Sequence, residues 1–174
     1  DEFPKYFSSE LRENEVWVMS FSKELRVPGW RIAYILASED LINAIQAIEQ
    51  ARTLCPNRIM QEVLKLVLSD EENLKELKKF YRKSRIRYSK VADYAYRRIC
   101  EEVERCSALK PRGGFYVFFD ISEYSKDSKK VCKELLENYQ VALAPGVDFG
   151  MEGWLRLSFA PVVNEMEKLE EGLD

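Results

Sequence analysis

The chain has 174 residues and a formal net charge of -3, with 27 lysines and arginines against 30 aspartates and glutamates. Hydrophobic residues make up 46% of the chain, which is ample for a core in a domain of this size. The charge balance gives no general attraction to nucleic acid or to an anionic membrane. No apolar run approaches the roughly 20 residues of a membrane span, so we expect neither nucleic acid nor a membrane as a partner.

Four cysteines and the absence of histidine narrow the possible chemistry. Cys55, Cys100, Cys106 and Cys132 show no Cys-x-x-Cys spacing, so they are interpreted as reduced thiols of a cytoplasmic protein. A chain without histidine cannot form a Ser-His-Asp triad, a Cys-His pair or a histidine-ligated metal site, and we expect no metal. Acid–base chemistry must therefore be carried by lysine, carboxylate or tyrosine.

The stretch of residues 20–31 concentrates polar and cationic groups between two apolar segments. An apolar strand is predicted to end near Lys23, and a Pro-Gly turn then reverses the chain into a second strand. This reversal could bring Arg31 back beside Ser20 and Ser22. Two hydroxyls and a planar guanidinium describe a phosphate site, and a lysine next to such a site can become a nucleophilic amine.

The order Ser-x-Ser-Lys, with arginine eight positions after the lysine and an aromatic residue further on, resembles the cofactor-lysine signature of the class I/II aminotransferases. These are pyridoxal-phosphate enzymes of the aspartate aminotransferase fold. The resemblance implies that Lys23 forms a Schiff base with the cofactor aldehyde, and that Ser20, Ser22 and Arg31 hold the cofactor phosphate. Ala33 departs from the glycine that many members of the family have at this position.

The first residues of the chain, Asp1 to Pro4, resemble the family's Asp-Glu-x-Tyr segment. By that resemblance, Asp1 pairs with the pyridinium nitrogen of the cofactor and keeps it protonated, which maintains the electron sink. Pro4 stands where the family usually has a tyrosine, so the tyrosine's contact with the phenolic oxygen is absent or made by another group. An acidic chain end without a partner is the alternative interpretation of Asp1.

The predicted elements indicate an α/β chain, and the resemblance identifies it as the C-terminal part of a fold-type-I pyridoxal-phosphate enzyme. Residues 1–68 are assigned to a remnant of the large cofactor domain, and residues 69–174 to the small domain. Ser38 and Asn57 are predicted to cap helices. A long helix is predicted from about residue 69 to Cys106, and its basic side chains are interpreted as solvated surface. Further elements are predicted as strands at 115–121 and 141–146 and a helix at 125–139.

A second landmark is the apolar strand predicted at residues 154–160. Alternation places Arg156 on the face opposite to Leu155, Leu157 and Phe159. An arginine in so apolar a strand is costly to bury without a counter-ion, and a structural salt bridge is one explanation. The strand is also similar to the family's Arg-x-Ser-Phe-Ala strand, which implies that Arg156 binds the substrate α-carboxylate.

The resemblance implies transfer of an amino group between an α-amino acid and a 2-oxo acid, as in aspartate, alanine or aromatic aminotransferases. A pyridoxal-phosphate lyase, synthase or decarboxylase on the same scaffold is an alternative, and so is a non-catalytic aminotransferase-like regulator domain. The family's first half is missing from this chain. We therefore expect a fragment that is inactive alone, with the N-terminal half of the same enzyme and a second copy, in a homodimer, as its partners.

Overall fold

A computed structural model of the chain describes residues 11–173 as a mixed α/β fold, as predicted. Asp1 and Pro4 lie outside the described residues. The strands are β1 (Trp17–Ser20), β2 (Ala33–Leu36), β3 (Ser107–Leu109), β4 (Tyr116–Asp120), β5 (Ala144–Pro145) and β6 (Trp154–Ser158). The α-helices are α1 (Phe21–Glu24), α2 (Glu39–Thr53), α3 (Arg58–Ser69), α4 (Glu71–Glu102), α5 (Ser128–Tyr139) and α6 (Met166–Glu171). Within the described residues, no helix combines the length and the apolarity that a membrane span needs.

The chain divides into two compact units, residues 1–76 and residues 77–174. The division falls inside helix α4, which contributes its first turns to one unit and its remaining turns to the other. The assignment of residues 1–68 to a cofactor domain and of residues 69–174 to a small domain stays a prediction. Each unit is described by itself below.

The first unit contains an antiparallel β1–β2 pair and the helices α1 to α3. Asn57 caps α3 as predicted, since its Oδ1 accepts a hydrogen bond from the Met60 amide at 3.3 Å. The apolar faces of α2 and α3 are largely open: within residues 11–76 only Ile32 and Leu64 are buried. The reason is that an amphipathic face is buried only where another element covers it, and the described part of this unit leaves these faces uncovered.

The second unit is built on an antiparallel sheet with the strand order β3-β4-β6-β5. One face of the sheet packs against the C-terminal half of α4, where Val91, Ala95 and Ile99 are buried. Alternate residues of the strands complete this core, as the fully buried Val117 and the nearly fully buried Leu155 show. Arg156 consequently lies on the opposite face, as the alternation predicted.

Several boundaries in the second unit differ from the predicted ones; the strand predicted at 141–146, for example, is reduced to β5, Ala144–Pro145. Helix α4 ends at Glu102 instead of near Cys106, and Arg105 follows in the left-handed region with a φ of 54°. The next residues form β3, a strand that the sequence did not predict because three residues show no usable alternation. Helix α5 begins at Ser128 instead of Ser125, since the Asp127 side chain accepts a hydrogen bond from the Lys130 amide at 2.9 Å.

Candidate active site

The β1–β2 pair brings the residues predicted to bind phosphate to one end of the pair. Ser20 lies opposite Ala33 in the antiparallel register. One residue further along, the Phe21 amide donates a hydrogen bond to the Ile32 carbonyl at 3.3 Å. Arg31, which precedes Ile32, therefore lies at the same end of the pair as Ser20, and the reversal predicted from the Pro-Gly turn is confirmed.

Strand β1 ends at Ser20 because the Ser20 side chain begins a helix there. Its Oγ accepts a hydrogen bond from the Ser22 amide at 3.2 Å, which is the usual contact of an N-cap serine. Ser22 and Lys23 are consequently in the one-turn helix α1, so the strand ends earlier than the predicted end near Lys23. The Ser20 hydroxyl keeps its own proton available for donation to an anion, and the side chain of Lys23 is exposed.

Arg31 takes its position through an unusual backbone conformation. A 3₁₀ turn at Pro28–Trp30 precedes it, and its own φ is 53°, in the left-handed region. This region is uncommon for a residue with a side chain, and such strain is often found at functional sites. The Arg31 Nη1 donates to the Pro28 carbonyl at 2.9 Å. Because a guanidinium has five N–H donors, further donors can reach an anion.

The donor set at this end of the β1–β2 pair can be compared with the groups of pyridoxal phosphate. The hydroxyls of Ser20 and Ser22 and the guanidinium of Arg31 suit a phosphate dianion, and the primary amine of Lys23 suits an aldehyde. The residues present therefore fit the cofactor. The predicted partner of the ring nitrogen, Asp1, lies outside the described residues.

Arg156, the predicted carboxylate-binding residue, lies on β6 in the second unit, opposite Phe118 of β4 and Ala144 of β5. Its side chain is half-buried, and its Nε atom is buried without a hydrogen-bond partner. Among residues 11–173 the guanidinium forms neither an ion pair nor a hydrogen bond. The structural salt bridge that the sequence allowed is therefore not formed within the described part of the chain.

Two aromatic rings lie against Arg156, and the sequence did not predict either contact. The guanidinium carbon lies 4.2 Å from the ring centroid of Tyr116 and 4.0 Å from that of Phe149, both within cation–π distance. Tyr116 precedes Phe118 by two residues, so the alternation of β4 was a usable signal for it. Phe149 had no such signal, because it lies in a 3₁₀ turn, Gly146–Phe149, after β5.

Comparison with known proteins connects both units of the chain with one family. The model of the family "Aminotransferase class I and II" matches residues 7–173. The aspartate aminotransferase of Thermotoga maritima is 32% identical to this chain, over 100% of the chain and 42% of its own length. The probable N-acetyl-LL-diaminopimelate aminotransferase of Bacillus subtilis is 31% identical, over 98% of the chain and 42% of its own length.

A solved structure also shows similarity to this family. The aspartate aminotransferase from Thermus thermophilus with maleate superposes with a TM-score of 0.81 at 28% identity, and the match covers 92% of this chain and 40% of that one. The chain belongs to the class I and II aminotransferases, so the resemblance and the fold class are confirmed. It spans about two fifths of the length of the curated relatives it matches.

Proposed function

We propose that this chain supplies the cofactor lysine and the substrate-binding arginine of a pyridoxal-phosphate-dependent aminotransferase. The observation that carries the proposal is Arg156, a half-buried cation on an apolar strand that has no anionic partner among the described residues. Burying such a cation costs free energy unless an anion pairs with it. The planar guanidinium can donate two parallel hydrogen bonds to a carboxylate. Some relatives are named as aspartate aminotransferases, and one of these was solved with maleate. These names support an amino acid as the substrate, with its carboxylate bound by Arg156.

The cofactor assignment follows the donor set in the first unit. Ser20, Ser22 and Arg31 would hold the phosphate, the amine of Lys23 would bond to the aldehyde carbon, and Asp1 would keep the ring nitrogen protonated. When bound, pyridoxal phosphate supplies the electron sink that lets a proton leave the substrate Cα. The family match and the fit of the donors support this assignment.

The chain's own residues then have separate tasks in amino transfer. Arg156 binds the α-carboxylate through two parallel N–H donors, which fixes the position of the neighbouring Cα. The Nζ of Lys23, with its amine free, would act as the general base and take the proton from Cα. With the cofactor bound, water would supply the oxygen of the 2-oxo acid that leaves. The amino group that the cofactor retains would pass to a second 2-oxo acid, whose oxygen would return as water.

The proposal extends to the partners of the chain. Because the chain spans about two fifths of the length of its relatives, we assign it to a longer enzyme. We further assign that enzyme to the cytoplasm and to amino-acid metabolism, and we expect it to act as a homodimer. The N-terminal half of that enzyme would cover the open apolar faces of α2 and α3, where Ile48 and Ile59 are each 68% exposed. This chain alone is then inactive, since it lacks part of the cofactor pocket.

Single-turnover amino transfer by the full-length enzyme tests the proposal. The enzyme, loaded with pyridoxal phosphate, is mixed with excess aspartate, and each active site should release one 2-oxo acid and form one pyridoxamine phosphate. Lys23→Ala should lower the rate by at least about 100-fold, the lower range for a lost general base. Lys65→Ala removes an exposed lysine of α3 and should leave the rate unchanged.

Other products would contradict the assignment in distinct ways. Release of carbon dioxide, or of a product without formation of pyridoxamine phosphate, would point to a decarboxylase or another enzyme on the same scaffold. Cofactor binding without any turnover would point to a regulator domain. A rate unchanged by Lys23→Ala would remove Lys23 from the reaction.

A further inference from the structure

We infer that Tyr116 and Phe149 form an aromatic clamp, a pair of rings that fixes the plane of the Arg156 guanidinium and thereby selects planar carboxylates over tetrahedral anions. The inference rests on the proposed function, in which Arg156 binds a carboxylate. It adds two positioning residues to that function and gives the site a selectivity that Arg156 alone would not have.

The two rings reach Arg156 from elements on opposite sides of its strand. In the sheet, β6 lies between β4, which carries Tyr116, and β5, which leads into the turn that carries Phe149. The guanidinium carbon is 4.2 Å from one ring centroid and 4.0 Å from the other. At these distances the negative ring faces attract the cation, so both rings favour one orientation of the guanidinium.

Each ring of the clamp is itself held by a neighbouring ring. The Phe118 ring meets Phe149 edge to face, with the centroids 6.3 Å apart, and the Trp154 ring centroid lies 5.1 Å from that of Phe118. At the start of β4, the ring centroid of Tyr116 lies 4.4 Å from that of Phe115, the residue just before the strand. These contacts restrict the rotation of the clamp rings, so the clamp is a preorganised feature of the second unit.

The orientation of the guanidinium decides which anion it prefers. At 4.2 and 4.0 Å from the guanidinium carbon, the two ring centroids are close enough for the rings to stack on the faces of the guanidinium. The N–H donors, which lie in the plane of the guanidinium, make no hydrogen bond among residues 11–173. A carboxylate places both oxygens in that plane and accepts two parallel hydrogen bonds. A tetrahedral sulfonate can place its sulfur and two oxygens in that plane, but its third oxygen then stands out of the plane. A freely rotating cation would instead attract both anions as a point charge.

The test measures anion binding by this chain through the Nε–H resonance of Arg156, observed by ¹⁵N NMR. The resonance is assigned by its disappearance in Arg156→Lys. The probes are propionate and ethanesulfonate, which carry the same ethyl group and the same charge, titrated at constant ionic strength. The wild-type chain should bind propionate at least about tenfold more tightly, a difference that one well-formed bidentate pair can supply.

The clamp is then removed one ring at a time. Phe149 is 45% exposed, so Phe149→Leu removes its ring without opening the core. We expect Phe149→Leu and Tyr116→Leu each to reduce the preference for propionate to about threefold or less, as expected when one cation–π contact is lost. The ring-current shift of the Nε–H should also shrink. Phe149→Tyr keeps a ring and should restore both the preference and the shift.

A matched control removes a ring beside a different arginine of the second unit. Tyr94 lies under Arg98 on α4, with the guanidinium carbon 5.7 Å from the ring centroid. Tyr94→Leu should leave the propionate preference unchanged.

Two results would overturn the clamp but leave the proposed function standing. One is a preference for propionate over ethanesulfonate that is unchanged in both Phe149→Leu and Tyr116→Leu. The other is equally tight binding of the two anions at Arg156 of the wild-type chain. If propionate does not shift the Arg156 resonance of the wild-type chain at all, the role of Arg156 in the proposed function itself is contradicted.

Discussion

At the scale of single residues, the backbone at Gly146 leaves no room for a side chain. A Cβ at this position would lie 2.2 Å from the Met151 carbonyl oxygen and 2.4 Å from that of Trp154. Gly146 begins the turn that ends at Phe149, and its carbonyl accepts a hydrogen bond from the Met151 amide at 2.9 Å. The absence of a Cβ therefore lets the turn close onto β6, where Phe149 reaches Arg156.

Substituting Gly146 should consequently destabilise the second unit. We expect Gly146→Ala to lower the free energy of unfolding by about 1–3 kcal/mol, the usual cost of forcing extra atoms into a packed site. Urea denaturation followed by tryptophan fluorescence measures the change. Gly29→Ala is the matched control, because no atom lies within 4 Å of a Cβ there, and it should change stability by less than about 0.5 kcal/mol. Equal stabilities of the two variants would contradict the steric argument.

At the scale of elements, Glu152 connects the loop that precedes β6 with the first turn of α5. Its carboxylate accepts hydrogen bonds from the Ser128 amide at 2.8 Å and from the Gly153 amide at 3.1 Å. The fully buried Ser128 hydroxyl accepts one from the Val147 amide at 3.4 Å. The hydroxyl and the amide of Ser128, followed by the Gly153 amide, lower the pKa of the Glu152 carboxyl.

This lowered pKa predicts a pH-dependent contribution to stability. A carboxyl whose pKa is lower in the folded state stabilises the fold above its unfolded pKa of about 4.3, and the contribution is lost as the pH falls through the folded value. Glu152→Gln should therefore be less stable than the wild type at pH 7, and the difference should shrink below about pH 4.3. Urea denaturation at pH 7 and pH 3 measures both. A difference that is independent of pH would show that the carboxylate charge contributes nothing.

The elements also show which features of the fold could be predicted. Asn57 begins α3 through a single side-chain contact, and such local signals are visible in the sequence. The alternation of β6 placed Arg156 opposite Leu155 correctly. Strand β3, in contrast, depends on its pairing with β4, which is more distant in sequence. The contact of Phe149 with Arg156 depends on a turn whose course only the packed structure defines.

For the candidate site, the sequence supplied the residue types and their spacing. The hydrogen bond from the Phe21 amide to the Ile32 carbonyl shows that Arg31 returns to the end of β1, as expected. The capping contact of Ser20 was missed, because the predicted strand continued past it. The roles of Lys23, Arg31 and Arg156 stay predictions until they are measured.

At the scale of the whole molecule, the two units differ in how much core they possess. The second unit has a continuous apolar cluster that includes Val91, Val117 and Phe159. Among residues 11–76, only Ile32 and Leu64 are buried. Burial of apolar surface is the main source of stability. The described part of the first unit therefore has little stability of its own.

This difference predicts uneven protection from hydrogen exchange. In the isolated chain, amides of α2 and α3 should exchange at least about 100-fold faster than those of Val91–Ile99, because local opening costs little where few apolar groups are buried. Mass spectrometry of exchanged peptides measures the ratio. In the full-length enzyme, the amides of α2 and α3 should become protected. Equal protection of both regions in the isolated chain would contradict the description of the first unit.

The central claim is that Lys23 is the cofactor lysine, and borohydride reduction in the presence of pyridoxal phosphate tests it most directly. The full-length enzyme and this chain are incubated with the cofactor, a visible absorption band is recorded, and the reduced protein is mapped by peptide mass. We predict that the full-length enzyme shows the band and carries one cofactor per chain, on the peptide that contains Lys23. Lys23→Arg should lose both, and Lys65→Arg should keep both. Cofactor attached to other lysines, or no adduct in the full-length enzyme, would contradict the claim.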